Sequence, residues 1–446
     1  MNYQIYGEYR LANADWIEQI PAHWEKWKVS HGFALVGSGT TPKSDTSLYY
    51  GGDTLWVTTA ELRESVVYET VTHVTREALA AHPTLRKYPK GSLVIAMYGA
   101  TIGRLGILGN DATVNQACCV FAFPEKFLIG FLYFWLWMRR PILISLSSGG
   151  GQPNLNQEDL KRLRIPIPPI REQQQIAAFL DWKTGQIDAL IAKKKELIEK
   201  LKEKRLAVIT QAVTKGLDTS VPMRDSGIPW LGSLPKHWKM QRARFAISAN
   251  PPAPRLRALK PDDEISFIPM DAVGIHGGLN LEQTRLLADV GSGYTEFQDG
   301  DVVVAKITPC FENGKAAIAH GLINGAAYGT TELHILRAGA SVEKRFLFYV
   351  VTSDTFSKIG ESEMYGAGGQ KRVPPEFIKN FLMLLPPLGE QIAIANYLDT
   401  ATEKIDLMVN KTESVITHLS EYRTALITAA TTGKIDVRQV AIPAPT

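Results

Sequence analysis

Cysteine is scarce. The 446 residues hold three, Cys118, Cys119 and Cys310, none in a C-x-x-C pair, which excludes a disulfide framework or a four-thiolate zinc site and fits a reducing, cytoplasmic setting. Cys118-Cys119 lies in an apolar stretch, where buried, inert thiols are expected. A surplus of charge is missing too: 49 Lys and Arg against 45 Asp and Glu leave a formal +4, so no polybasic coat covers the chain, while a local basic surface is still allowed. The one long apolar run, Phe127 to Met138, has twelve residues and is followed by Arg139-Arg140-Pro141. A membrane-crossing helix needs about 20, so the run predicts a buried core helix and no span. Met1 to Arg10 lacks a basic start followed by an apolar stretch, and no signal peptide is expected.

Catalytic patterns are equally sparse. Asn313-Gly314-Lys315-Ala316 lacks the first glycine and the hydroxyl with which a phosphate-cradling loop works. Asn250-Pro251-Pro252-Ala253 approaches the loop of DNA adenine methyltransferases but ends in alanine where an aromatic would stack on the extruded base; a proline-rich linker explains it better. The nine histidines show no metal-ligand spacing.

What the chain does contain is itself, twice. Trp16-Ile17-Glu18-Gln19-Ile20-Pro21-Ala22-His23-Trp24 recurs 214 residues later as Trp230-Leu231-Gly232-Ser233-Leu234-Pro235-Lys236-His237-Trp238. Here His23-Trp24 and His237-Trp238 are expected to pack internally. Pro168-Pro169-Ile170-Arg171-Glu172-Gln173 recurs as Pro386-Pro387-Leu388-Gly389-Glu390-Gln391, and Ile187-Asp188 as Ile405-Asp406, at a constant offset of 218. A constant offset means no insertions, as in a continuous helix. Elsewhere the offset drifts, with Gly91 to Ala96 matching Gly300 to Ala305 at 209. Each half is therefore a divergent segment followed by a register-locked one.

After each Pro-Pro pair, apolar residues fall at alternating three and four spacing: Ile187, Leu190/Ile191, Leu197/Ile198, Leu201 and Val208, then Ile405, Met408/Val409, Val415/Ile416, Leu419 and Leu426. That is a coiled-coil stripe on a helix of forty or so residues, about 60 Å long at about 1.5 Å each. Residues 171–215 hold ten basic and six acidic residues, and residues 389–433 three basic and six acidic. Complementary charge and the tandem repeat together predict that the two helices pack antiparallel; Lys193-Lys194-Lys195 reads equally well as a solvated face.

The divergent segments read as mixed and strand-rich. Ser92 to Met97 and Asp301 to Lys306 are short β-branched runs, followed by the glycine-containing stretches Tyr98 to Arg104 and Ile307 to Lys315. Later come Ser147 to Asn154 and Gly366 to Arg372, aligned at Gly150/Gly368 and Gln152/Gln370. Such loops suit close approach to phosphates and base edges. Flexible connectors without a ligand would have the same composition.

Taken together, the duplicated W-x-x-x-[IL]-P-x-H-W, [GS]-G-x-Q and P-P-[IL]-x-E-Q motifs resemble those of the DNA-sequence specificity (S) subunit of type I restriction–modification systems. The resemblance implies an α+β fold with two tandem, pseudo-symmetric, strand-rich recognition domains at residues 1–166 and 216–384. Between and after them come a central helical spacer at 167–215 and a C-terminal spacer and tail at 385–446, the two long helices forming an antiparallel coiled coil. It further implies that the chain is non-catalytic and binds double-stranded DNA. Its partners would be two methyltransferase subunits, which bind S-adenosylmethionine, and two motor/nuclease subunits, which use ATP and Mg.

Within that resemblance, Lys43, Arg104, Lys306, Lys315, Lys371 and Arg372 are expected to neutralise phosphates. Gln152, Asn154 and Gln370, with Thr41, Tyr98, Thr101 and Thr308 from the same loops, are candidates for DNA contacts at base edges. Glu172, Gln173 and Asp181, with Glu390, Gln391 and Asp399, are the expected partner-binding residues. Gly39-Thr40-Thr41-Pro42 and Tyr49-Tyr50-Gly51-Gly52 are similar to one recognition-domain type; Ala249-Asn250-Pro251-Pro252 replaces them in the second half, so an asymmetric DNA site is expected. A self-sufficient DNA adenine methyltransferase and a non-specific helical adaptor are the rival readings.

Overall fold

The computed structural model describes residues 3–14, 17–145, 155–229, 231–275, 277–290, 293–366 and 369–443. They form two compact units, Met1–Lys193 with Val415–Thr446, and Lys194–Ser414. Each unit combines one divergent segment with part of both long helices.

Those helices are Ile170–Lys215 and Leu388–Thr431. They start directly after the Pro-Pro pairs, because proline has no N–H to satisfy at that point. The Pro169 carbonyl accepts the N–H groups of Glu172 (2.8 Å) and Gln173 (3.0 Å), and the Pro387 carbonyl those of Glu390 (2.9 Å) and Gln391 (3.1 Å). Glu172 and Glu390 place negative charge at the positive helix ends. Gly216 and Gly433, at φ +77° and +75°, follow the last turns, where a left-handed residue releases the chain.

In the first unit Ile176, Phe179 and Leu180 pack with Leu426, Ile427 and Ala430 around Trp24 and Phe131. An ion pair joins Arg423 to Asp188 at 2.9 Å there, and in the second unit Arg205 joins Asp406 at 3.0 Å. Rising numbers on one helix meet falling numbers on the other, so the helices are antiparallel. The stripe is buried in part. Ile198 is buried and Ile191, Val409 and Ile416 are half-buried, whereas Leu190, Leu197, Met408 and Val415 are exposed. Neighbours on a helix point about 100° apart, so a two-helix seam takes the second member of each tandem pair and leaves the first in solvent.

The core of the first unit is a five-stranded sheet in the order Phe33–Ser38, Cys118–Pro124, Leu93–Ala96, Leu105–Leu108, Ser65–Val67. The apolar run forms helix Ile129–Ser145, whose Leu132, Trp135 and Leu136 cover Leu93, Ile95 and Phe121. Among the described residues no helix is long and apolar enough to cross a membrane. The second unit repeats the central order with Ile247–Ala249, Leu333–Ala338, Val302–Ala305 and Ala316–Ile318, under helix Lys344–Val351. Beside these cores the units differ: the first adds Ala112–Val114, Tyr50–Val57 and His73–Val74, the second Thr284–Leu286, Glu264–Ile268, Ala326–Gly329 and Thr295–Gln298.

Candidate nucleic-acid interface

In the second unit the two glycine-containing stretches are laced together. The chain leaves strand Val302–Ala305 at Lys306, whose carbonyl accepts the Val373 N–H at 2.8 Å. Thr308 N–H donates to the Lys371 carbonyl (3.0 Å), and Thr308 Oγ1 accepts the Lys371 N–H (2.8 Å). This places Thr308, Gln370, Lys371 and Arg372 side by side, with Gln370 and Lys371 exposed. Lys315 stands at the base of the loop, where its ammonium donates to the Met270 carbonyl at 2.9 Å. Arg372 is gripped by Glu332 at 2.8 to 3.1 Å, and these hydrogen bonds hold the Glu332 carboxyl below its usual range. That partner was invisible in the sequence, which showed only the charge of Arg372.

The first unit repeats the bond at the root of the lacing. Leu155 N–H donates to the Met97 carbonyl at 2.9 Å, the counterpart of Val373 on Lys306. Gln152 and Asn154, together with Trp16, Trp230 and Gly368, lie outside the described residues. Tyr98 and Arg104 are exposed and Thr101 half-buried. Thr41 Oγ1 donates to Gln116, and Ala117 of the same turn accepts the Met97 N–H at 2.7 Å, so Thr41 and exposed Lys43 belong to the rim carrying Tyr98. From the core helix, Arg140 donates to the Gly103 carbonyl at 2.7 Å and pairs with Glu64, pinning the loop from behind. No local pattern announced this clamp.

The Glu-Gln pairs have internal work in both units. Glu172 accepts Tyr6 OH (2.6 Å) and Trp24 Nε1 (2.9 Å) and faces His23 Nε2 at 2.8 Å; Glu390 accepts Trp238 Nε1 (3.0 Å) and faces His237 Nε2 at 2.8 Å. Burial and this carboxylate push the Tyr6 phenol far up. Gln173 accepts Leu128 N–H and donates to the Lys126 and Pro168 carbonyls, while Gln391 accepts Glu343 N–H and donates to Ser341 and Pro386. With Glu172, Gln173 and Gln391 at 6%, 1% and 0% exposure, these three side chains of the expected partner-binding set fasten their own unit. Asp399 bonds Arg345 (2.7 Å) and Tyr349 OH (2.7 Å). Its repeat mate Asp181 is exposed, and partial desolvation raises its carboxyl.

The family model of the type I restriction modification DNA specificity domain matches residues 21–202. The EcoAI specificity subunit of Escherichia coli is 36% identical over 198 residues, 44% of this chain and 33% of that protein, so the chain spans about a third of that relative's length. The MjaVIII specificity subunit of Methanocaldococcus jannaschii is 21% identical over 427 residues, 95% of each. A solved structure concerned with assembly and conformational transition of the type I R-M system shares the fold, at TM-score 0.70 and 15% identity over 93% of this chain and 99% of its own. Over residues 21–202 this chain is similar to type I restriction–modification specificity subunits.

The matched segment ends inside the first long helix, yet His237, Trp238 and Glu390 repeat in the second unit the contacts that His23 and Trp24 make with Glu172. Asn250 of the near-methyltransferase motif is part of the fold: at φ +50° it exchanges hydrogen bonds with Ile335 through backbone (2.6 Å) and side chain (2.9 Å), and meets buried His334 at 3.3 Å. Ala253, where an aromatic would be needed, is fully buried. Burial pushes the Cys119 thiol up to about 12 and the Cys118 thiol higher still. Among the described residues no group of three or more His, Cys, Asp or Glu could hold a metal.

Proposed function

We propose that the chain is the non-catalytic DNA-recognition subunit of a type I restriction–modification complex. Each unit reads one half of a bipartite site with its laced loop pair, and the long helices set the half-site spacing and dock two methyltransferase subunits. S-adenosylmethionine then belongs to the methyltransferases, ATP and Mg to motor/nuclease subunits, and the assembly works in the cytoplasm. One observation carries the reading: the same backbone lacing, Leu155 on Met97 and Val373 on Lys306, presents different side chains in the two units. A shared frame with Thr41, Tyr98, Thr101 and Arg104 in one copy, and Lys306, Thr308, Gln370 and Lys371 in the other, is what reading two unlike half-sites requires. The exposed apolar residues Leu190, Leu197, Met408 and Val415 suit helices of a partner better than the enclosed glutamate and glutamines do.

The test is selection from random duplex DNA by the full chain with methyltransferase subunits. A single asymmetric bipartite sequence is expected. Deleting two helical turns from both long helices should then shorten the unspecified spacer while leaving both half-sites intact. Recovery of DNA without sequence preference would refute the recognition role, and an unchanged spacer would refute the spacing role.

A further inference from the structure

We infer that Arg372, braced by Glu332, reads a guanine in the half-site served by the second unit. This rests on the proposal that the laced loops meet DNA, and it departs from the expectation that Arg372 neutralises a phosphate.

The geometry separates the two roles. Glu332 takes Arg372 Nε at 3.0 and 3.1 Å and Nη2 at 2.8 Å. A guanidinium carries five N–H donors in a planar fork, so this grip leaves the edge formed by Nη1 and the second Nη2 hydrogen; Nη1 meets only the Gln370 carbonyl, at 3.3 Å, among the hydrogen bonds resolved for it. That edge is the one that fits O6 and N7 of guanine in the major groove. Charge points the same way. A phosphate contact draws on net positive charge, and here a carboxylate about 3 Å away cancels it. Lys371, exposed beside it, carries the phosphate role instead.

The brace is also stiff. Arg372 and Tyr365 exchange backbone hydrogen bonds at 2.9 and 3.2 Å, Lys306 N–H donates to the Glu332 carbonyl at 2.9 Å, and Val373 N–H to Lys306. Below them buried His334 faces the Val373 carbonyl at 2.9 Å. The arginine side chain is nevertheless 41% exposed, at a rim shared with Thr308, Gln370 and the 66% exposed Tyr365. Orientation fixed before binding is what makes a donor pair selective.

The test uses the full chain in its methyltransferase assembly, with duplexes in which each base pair of the selected site is replaced in turn, titrated over a range of salt. In Lys371→Ala, affinity should fall evenly over all duplexes and the salt slope drop by about 1, with base preference kept. In Arg372→Lys, preference at one G·C pair should fall about 5- to 150-fold, with the other half-site untouched. Glu332→Gln frees the charge: it should weaken the same preference, tighten non-specific binding and steepen the salt slope. Thermal melting confirms that the two conservative variants fold. Arg372→Lys and Glu332→Gln that both keep every base preference would overturn the inference while Lys371→Ala still upholds the loop reading. If Lys371→Ala changes neither affinity nor slope, the loops are not at the DNA and both readings fall.

Discussion

Replacing Glu172 with alanine removes the one acceptor shared by Tyr6, Trp24 and His23. Tyr6 and Trp24 are 3% and 0% exposed, so their O–H and N–H have no water to turn to. His23, with a 39% exposed side chain, does. An orphaned buried donor costs about 1–3 kcal/mol, which makes two of them about 4 kcal/mol. The mate of this site supplies the internal control. Glu390 serves one buried donor, Trp238 at 2% exposure, and a His237 side chain that is 43% exposed; its loss should cost about 2 kcal/mol. Because the chain has two units, one denaturation midpoint would blend them. Hydrogen exchange followed peptide by peptide reads each unit's opening free energy separately. Glu172→Ala should lower protection around Ile17–Pro21 and the start of helix Ile170–Lys215, and Glu390→Ala around Ser233–Pro235, in a ratio near two to one. Equal losses, or a loss below about 1 kcal/mol for Glu172→Ala, would refute the assignment of these carboxylates as latches.

Burial holds His334 below its ordinary pKa, so the unfolded chain takes up a proton there first; stability of the second unit should fall as pH drops below about 6.5, and His334→Gln should flatten that fall in urea titrations at pH 7.5 and 5.5. Glu332 is displaced the same way by Arg372, and because its folded pKa is depressed, its contribution persists above the ordinary carboxylate range and is lost only on acidification through that lowered value. Arg205→Ala, which strips Asp406 of a partner whose own side chain is 6% exposed, should destabilise by about 1–2 kcal/mol, and the exchanged pair Arg205→Asp with Asp406→Arg should recover part of it in a double-mutant cycle. With Cys118 and Cys119 buried and Cys310 partly open, a thiol reagent should label one cysteine fast and two only on unfolding.

Features governed by neighbours in sequence were readable in advance. The Pro-Pro helix starts, the core helix at Phe127 to Met138 and the burial of Trp24, though not of His23 beside it, follow from spacing or local polarity. The stripe was readable to within one position, since its 3–4 spacing cannot say which of Leu190 and Ile191 turns inward. What escaped depends on chain-distant partners. Nothing near Arg372 announces Glu332, nothing near Gly103 announces Arg140, and Asn250 looks like a broken catalytic loop until His334 and Ile335 are beside it. Glu172 and Gln173 stood out by their repetition, but repetition marks constraint without saying whether it faces inward or outward.

The seam between the long helices carries a further consequence. Asp188 and Arg205 lie on one helix, Arg423 and Asp406 on the other, each pair being the repeat image of its partners. One helix thus holds both letters of the code, and a second copy of it could satisfy both. A chain whose two long helices carry the same code has to keep from pairing with its own duplicates. The net charges of residues 171–215 and 389–433, positive in the first and negative in the second, supply that discrimination: like helices repel, unlike ones attract. The ion pairs fix the register, and the difference in charge around them decides which helix is allowed to use it.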